Sequence, residues 1–210
     1  MKMHSGIFVT FEGIDGSGKS SQLSAFVKML ERSGRKVTLV REPGGTKIGE
    51  KIRSLVLDKE NYGMVPEAEL LLYEAARSQI VSEIIRPALS DGQVVISDRY
   101  YDSSTAYQGY ARGLPLEDVR FLNRFATGGL EPDITFLLDL PAEAAWERMG
   151  GRLDRKDRLE MEGLTFLETA RRGYLEMAAA MPRFVVLDAA GPVDKIARDI
   201  ERKFWEVIDR

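Results

Sequence analysis

The feature that most constrains the fold is a glycine-rich segment directly after a short apolar run. Residues 13–20 have the sequence G-I-D-G-S-G-K-S, which matches the phosphate-binding pattern G-x-x-x-x-G-K-[ST] in full. The apolar run at residues 7–11 predicts a strand before it, and residues 20–33 predict a helix after it, closed by Gly34. A glycine-rich turn that matched by chance would lack this context. The segment therefore predicts a P-loop, whose backbone N–H groups and following helix bind phosphate.

The residues of this loop have predicted contacts with a nucleoside triphosphate. Lys19 is expected to reach the β- and γ-phosphates, and the hydroxyl of Ser20 is expected to ligate Mg²⁺. No N-K-x-D motif is present, so a guanine-specific GTPase is not expected. The predicted ATP-binding residues are Gly13, Ile14, Asp15, Gly16, Ser17, Gly18, Lys19, Ser20 and Ser21.

A second carboxylate follows the third apolar run. Asp98 comes after residues 94–96, where it can hold Mg²⁺ directly or through water. The alternative is that Asp98 caps a loop and Arg99 forms a surface ion pair, since Asp139 follows a similar run. The metal residues predicted are Ser20 and Asp98.

Further short apolar runs lie at residues 37–40, 134–138 and 184–187, and helical patterns separate them. Near-continuous apolar strands are typical of a parallel sheet that is covered on both faces. The pattern predicts an α/β fold, a doubly wound five-stranded parallel sheet flanked by helices, in one domain spanning residues 1–210. Ligands are then expected at the carboxyl ends of the strands.

Composition excludes several other classes of protein. The chain has no cysteine and one histidine, His4, which is expected to have no role, so cysteine-ligated zinc and a Ser-His-Asp hydrolase are not expected. Lysine and arginine total 30 against 33 aspartate and glutamate, which argues against a nucleic-acid binder. No apolar run is long enough to span a membrane and no signal peptide is evident, so a cytoplasmic location is expected.

Five ordered motifs give the chain a specific resemblance. They are F-E-G leading into the P-loop, R-E-P-G-G-T at residues 41–46, A-A-R at 75–77, D-R-Y at 98–100 and S-S-T-A-Y-Q-G at 103–109. Over essentially its whole length the chain resembles the bacterial thymidylate kinase family. The resemblance implies that the γ-phosphoryl group of ATP is transferred to dTMP, and it implies a homodimer and a cis peptide bond before Pro43.

The resemblance also implies an acceptor site. Tyr73 and Arg77 lie one helical turn apart, at the positions that stack on thymine and address its carbonyl, although Tyr73 could instead be a core residue and Arg77 an ion-pair partner of Glu69 or Glu74. Arg53 and Arg99 match the pair that grips the dTMP phosphate, and Asp15 the carboxylate that meets the sugar 3′-hydroxyl. The predicted dTMP-binding residues are Asp15, Glu42, Pro43, Arg53, Tyr73, Arg77, Arg99, Ser104, Tyr107 and Gln108. Glu42 could equally make a structural hydrogen bond.

A basic segment predicts a mobile lid at about residues 148–160. A solvated charged loop is the usual explanation for such a run, but phosphoryl transfer needs cations, and Gly16 stands where some family members carry arginine. The lid is therefore expected to supply the catalytic arginine, with Arg152 the first choice, Arg158 the second and Arg155 the third. Arg148 is expected to stack on adenine, with residues 188–191 close by.

The predicted catalytic residues are Lys19, Arg99, Arg152, Arg158 and Asp15. A phosphate acceptor is already anionic near neutral pH, so positioning and charge neutralisation suffice and no general base is expected. The remaining alternatives are a kinase for another nucleotide or deoxynucleoside and, from a different class, a regulatory ATPase. The second would hydrolyse ATP slowly and would have no use for an acceptor site.

Overall fold

The computed structural model describes residues 5–150, 158–159 and 162–208. His4, Arg152 and Arg155 lie outside the described residues. Within them the strands form a five-stranded parallel sheet in the order β2-β3-β1-β4-β5. The strands are β1 (Ile7–Glu12), β2 (Val37–Arg41), β3 (Val94–Asp98), β4 (Ile134–Asp139) and β5 (Phe184–Asp188). The predicted parallel sheet is confirmed.

The helices alternate with these strands along the chain. They are α1 (Lys19–Arg32), α2 (Lys47–Leu57), α3 (Pro66–Ile80), α4 (Arg86–Ser90), α5 (Tyr101–Ser104), α6 (Leu116–Thr127), α7 (Ala142–Gly150), α8 (Leu164–Ala180) and α9 (Val193–Ile208). A 3₁₀ turn covers Lys59–Asn61, and π-helical segments cover Val81–Ile85 and Thr105–Ala111.

The helix that begins at Pro66 does not continue to Ser90 without change. A π-helical turn, Val81–Ile85, separates α3 from α4. Pro87 follows it in the first turn of α4, and proline cannot donate the backbone hydrogen bond that a regular helix requires at this point. The wider turn is a common way to absorb such a loss.

Side chains from both faces of the sheet are buried. On β1, Val9 and Phe11 face one apolar cluster together with Phe136 and Phe204, whereas Phe8 faces the other. Alternate residues of a strand point to opposite faces, so helices cover both sides of the sheet. The three central strands are almost wholly buried, and the edge strands β2 and β5 are partly exposed.

The carboxyl ends of the strands lie level with each other. Phe11 of β1 and Arg41 of β2 are each in register with Asp98 of β3, and Asp139 of β4 is in register with Asp188 of β5. This edge of the sheet also carries the cis Glu42–Pro43 bond that the family resemblance implies. Among the described helices, none has the length and apolar character that crossing a bilayer requires.

Candidate active site

The glycine-rich loop turns between β1 and α1. Gly18 takes a left-handed conformation with φ of 92° at the N-cap of α1, which glycine adopts without steric cost. At Gly16, φ is 81° and a Cβ atom would lie 2.6 Å from the carbonyl oxygen of Ala145. The loop is thus packed so closely against α7 that a side chain at residue 16 would displace backbone.

Lys19 is buried and folded back onto this loop. Its Nζ atom donates to the carbonyl oxygens of Gly13 at 2.9 Å and Ile14 at 3.1 Å. Burial and the nearby Arg99 guanidinium lower the pKa of Lys19 to about 8, against the opposing effect of Asp15. The Lys19 ammonium therefore lies in the glycine-rich loop, close to the Arg99 guanidinium. An anionic ligand bound there would neutralise the positive charge of both groups.

Two residues predicted to hold Mg²⁺ line one groove. Ser20 at the start of α1 and Asp98 at the end of β3 both face it. The Oδ1 atom of Asp98 is buried and has no hydrogen-bond partner among the described residues. A buried carboxylate oxygen without a partner is costly, and a cation in the groove would satisfy it. Within the part of the chain that the structure describes, no group of three or more His, Cys, Asp or Glu side chains could hold a metal ion.

A cavity beside the loop contains the predicted acceptor residues. All of them except Arg77 line it, together with three residues that the prediction omitted, Leu57, Ser103 and Leu159. The full lining is Asp15, Glu42, Pro43, Arg53, Leu57, Tyr73, Arg99, Ser103, Ser104, Tyr107, Gln108 and Leu159. Residues from distant parts of the sequence thus form one cavity next to the P-loop.

Arg99 connects this cavity with the loop. Its Nη1 atom donates to the carbonyl oxygen of Gly13 at 3.0 Å, and its Nη2 atom donates to Oδ1 of Asp15 at 2.6 Å. Among the described residues other than glycine, Arg99 is the one with a positive φ, 69°. Such a conformation costs about 1–2 kcal/mol, and it allows the side chain after β3 to turn towards the loop.

Two side chains hold Asp15 through hydrogen bonds. Besides the bond from Arg99, its Oδ2 atom accepts a hydrogen bond of 3.0 Å from the hydroxyl of Tyr107. Burial acts to raise the pKa of Asp15, but Arg99 and Lys19 outweigh it and lower that pKa to about 2. Asp15 is therefore a carboxylate at neutral pH and a strong hydrogen-bond acceptor at the junction of loop and cavity.

Arg53 and Tyr73 face the cavity from α2 and α3. Arg53 donates from Nη1 to the carbonyl oxygen of Pro43 at 2.9 Å and lines the same cavity as Arg99. Tyr73 is largely buried and still lines the cavity. Tyr73 therefore packs in the core, as the alternative prediction had it, and also presents part of its side chain to the cavity.

Arg77 lies behind the cavity wall. It is 1% exposed, and it donates from Nε to Glu42 at 2.7 Å and from Nη1 to Glu74 and to Ser104. The predicted alternative of an ion pair with Glu74 is confirmed, whereas the one with Glu69 is wrong. Arg77 reaches the cavity through two lining residues, Glu42 and Ser104.

Glu42 makes the structural hydrogen bond that was the alternative prediction for it, and its side chain also lines the cavity. Its Oε2 atom accepts the structural bond from Arg77, while its buried Oε1 atom has no partner within the described residues. Burial raises the pKa of Glu42 to about 7, with Glu74 adding to the effect and Arg77 opposing it. A carboxyl group with one free oxygen therefore faces the cavity.

Sequence analysis did not identify Glu69 as part of the site. Glu69 is fully buried and accepts hydrogen bonds from Gln108 at 2.7 Å and from Arg112 and Arg158 at 3.1 and 2.5 Å. It shares one face of α3 with Tyr73 and Arg77, at spacings of four residues, and this spacing is a signal that could have found it.

The predicted lid is described only in part. Arg158 is buried, its Nε atom donates to the carbonyl oxygen of Val56 at 3.0 Å, and its backbone N–H donates to Leu57. Its hydrogen bonds to described residues go to Val56, Leu57 and Glu69, and none of these bonds goes to the P-loop. The first and third choices, Arg152 and Arg155, lie outside the described residues.

The predicted adenine side comes together next to the P-loop. Arg148 at the end of α7 donates from Nη1 to the carbonyl oxygen of Gly16 at 3.5 Å and from Nη2 to that of Ala189 at 3.2 Å. Ala189 belongs to the predicted segment 188–191 after β5. Arg148 therefore links the P-loop to the segment after β5, and neither Arg148 nor Ala189 lines the cavity.

Comparison with known proteins identifies close relatives. The family model described as thymidylate kinase matches residues 11–200. A thymidylate kinase of Desulforudis audaxviator is 53% identical over 187 residues, 88% of this chain and 84% of the relative. One of Desulfosudis oleivorans is 50% identical over 91% of this chain and 92% of the relative. One of Thermosipho melanesiensis is 48% identical over 97% and 100%.

Proposed function

The chain belongs to the thymidylate kinase family of phosphotransferases, and on that premise we propose that it moves the γ-phosphoryl group of ATP onto the 5′-phosphate of dTMP. The observation that carries the proposal is the Arg99 guanidinium, which is bonded to Gly13 of the P-loop and to Asp15 in the cavity wall. One cation thus lies where the phosphates of a donor in the loop and of an acceptor in the cavity would meet.

The cavity is suited to a nucleoside monophosphate. Arg53 and Arg99 line it from different elements, and two guanidiniums offer forked donors to a dianionic phosphate. Tyr73 supplies an aromatic wall for the base, and the Gln108 and Ser104 side chains offer polar atoms to its edge. Asp15, ionised and held by Arg99 and Tyr107, would accept a hydrogen bond from the sugar 3′-hydroxyl.

The transfer step requires few proton movements. An oxygen of the acceptor phosphate attacks the γ-phosphorus in line, the bond from that phosphorus to the β–γ bridging oxygen breaks, and ADP leaves with that oxygen. Lys19 and Arg99 provide fixed positive charge around the transferring group. Because the attacking oxygen already carries negative charge, the mechanism assigns no general base.

Mg²⁺ fits the groove next to the loop. The unpartnered Oδ1 atom of Asp98 and the hydroxyl of Ser20 would hold it, and a site with few protein ligands is typical of an ion that is bound largely by phosphates and water. When bound, the ion neutralises phosphate charge and orients the triphosphate.

We propose that the lid supplies the further positive charge that the transfer needs. Arg152 is the first choice for this catalytic arginine and Arg155 is the third. Since Gly16 carries no side chain, the P-loop offers Lys19 as its cationic side chain. A catalytic role for Arg158 would require its guanidinium to leave Glu69, with which it forms a buried ion pair. This cost places Arg158 behind Arg152, and the pair instead supports the cavity lining through Gln108, which donates to Glu69.

The acceptor is tested with a panel of dTMP, dUMP, UMP, CMP, AMP and thymidine, each with ATP and Mg²⁺. We expect dTDP as the main product, and little product from thymidine, because thymidine lacks the phosphate that Arg53 and Arg99 would hold. Chromatography of the nucleotides measures both. A preference for thymidine, or ATP hydrolysis that none of the acceptors changes, would contradict the proposal.

The pKa of Lys19 predicts a pH dependence of ATP binding. In the free chain this pKa is about 8, and triphosphate next to the ammonium favours the charged form and raises it. Above about pH 8 binding therefore takes up a proton and weakens as pH rises, whereas well below pH 8 Lys19 is charged in both states and adds no dependence. Calorimetry with a non-hydrolysable ATP analogue, in buffers of different ionisation enthalpy at about pH 7 and 9, measures this proton uptake.

Lys19→Arg is the control for this prediction. Arginine keeps its charge throughout the range, so the proton uptake near pH 9 should disappear. Equal proton uptake in the variant and the natural chain would assign the titration to another group.

We also propose that the chain is a homodimer and acts in the cytoplasm. Large apolar side chains are exposed on neighbouring helices, Leu71 on α3 and Phe121 and Phe125 on α6, each more than half exposed. Such a patch is typical of an interaction surface. A light-scattering mass of twice the 23.6 kDa chain is the expected result.

A further inference from the structure

Glu12 at the end of β1 is a buried acid to which sequence analysis assigned no role. It is fully buried, and every group bonded to it is a donor. Its Oε1 atom accepts the backbone N–H of Tyr100 at 2.7 Å. Its Oε2 atom accepts the hydroxyls of Ser103 at 2.7 Å and Tyr174 at 2.8 Å.

The same two hydroxyls contact Arg99. Its Nη1 atom donates to Ser103 Oγ and to Tyr174 Oη, both at 3.1 Å, and the two hydroxyl oxygens lie 2.7 Å apart. Glu12 is therefore linked to Arg99 through a pair of hydroxyls, while Arg99 also holds Asp15 with its other terminal nitrogen.

Each hydrogen bond between Glu12, the two hydroxyls and Arg99 has a defined donor and acceptor. An ionised carboxylate only accepts, so a hydroxyl that donates to Glu12 keeps its lone pairs for the guanidinium. Burial and Asp102 raise the pKa of Glu12 to about 7, and Arg99 opposes the shift. At pH 8 Glu12 is thus mostly ionised, and the orientation of both hydroxyls is fixed.

We propose that Glu12 is a positioning residue for the acceptor phosphate, because it orients Ser103 and Tyr174 so that they hold Arg99 in place. The inference rests on the proposed function, in which Arg99 binds that phosphate. Glu12 itself does not line the cavity, so it would not contact the base or the sugar of a nucleotide bound there. Its effect should therefore be confined to ligands that carry a phosphate.

Glu12→Gln is the direct test. The glutamine amide has one hydrogen-bond donor group, its NH₂. In either orientation of the amide this group would face another donor, either the Tyr100 N–H or the two hydroxyls. At pH 8 we expect the Kd of dTMP to rise about tenfold, the effect of losing one hydrogen bond to a charged group. The Kd of thymidine, which lacks the phosphate, should change less than about twofold. Calorimetry on the full chain measures both.

Two further variants keep the test independent of folding. Tyr174→Phe removes a single hydroxyl and should reproduce the selective loss of dTMP affinity. In an Arg99→Met background, Glu12→Gln should add nothing, because residues that act through one another are not additive. Thr10→Val is the matched control, since this buried hydroxyl on the same strand pairs with Thr135 and has no bond to Arg99.

Equal losses of dTMP and thymidine affinity would show that Glu12 only supports the fold and would overturn the inference, as would additive effects of Glu12→Gln and Arg99→Met. Failure of the proposed function would give a different binding result. In that case the natural chain itself would bind the ATP analogue but not dTMP.

Discussion

Lys19→Met is expected to lower kcat by about three orders of magnitude, the upper range for loss of one preorganised charge at a reacting centre. The buried ammonium is bonded to two P-loop carbonyl oxygens, in the position where the loop would hold the transferring phosphate. No other described P-loop side chain carries positive charge that could replace it. Single-turnover kinetics with ATP and dTMP measure the effect on chemistry.

The fold should survive this substitution. Among the described residues Lys19 forms hydrogen bonds but no ion pair within 4 Å, so removing this buried cation relieves a desolvation cost, and the melting temperature should change little. Lys195→Met, at an exposed position on α9, is the control and should retain full activity. If kcat fell by less than about tenfold, the assignment of Lys19 to the reacting centre would be wrong.

The second large effect is expected at Arg99. Arg99→Met should lower kcat/KM for dTMP by about 10²–10³-fold, because a bidentate, charge-assisted contact to phosphate would be lost together with charge near the transferring group. Steady-state kinetics with dTMP varied at saturating ATP measure it. Lysine should not restore activity, because an ammonium cannot bond Gly13 and Asp15 with two separate nitrogens.

Arg86→Met provides the control for Arg99. Arg86 also donates to backbone carbonyl oxygens, those of Thr127 and Gly128, but it lies outside the cavity lining. Its loss should lower stability without changing KM for dTMP. If Arg99→Met bound and converted dTMP within about twofold of the natural chain, the acceptor phosphate would have to bind elsewhere.

The sequence predicted the parts of the fold that local patterns determine. Apolar runs and the P-loop motif predicted the five strands, their parallel arrangement and the helix after the loop. The π-helical turn at Val81–Ile85 was missed, because periodicity does not register the missing N–H of Pro87. The resemblance located the cavity lining well, since each of its motifs follows a strand or lies on a helix facing that edge.

Local sequence patterns could not predict the contacts between residues that are distant in the chain. Tyr174 and Glu12 are separated by 162 positions, and Arg158 and Glu69 by 89. Which arginine pairs with which carboxylate depends on how helices pack over the sheet, and spacing cannot show it. For the same reason the sequence could not show that Arg77 lies behind Glu42 and Ser104, and not in the cavity wall.

The central claim is that donor and acceptor nucleotides occupy separate sites whose phosphates meet between Lys19 and Arg99. Calorimetric titration of dTMP into the chain saturated with Mg²⁺ and a non-hydrolysable ATP analogue tests it most directly. We predict one dTMP bound per chain, with the analogue retained. Displacement of the analogue by dTMP, or no binding of dTMP beside it, would contradict the claim.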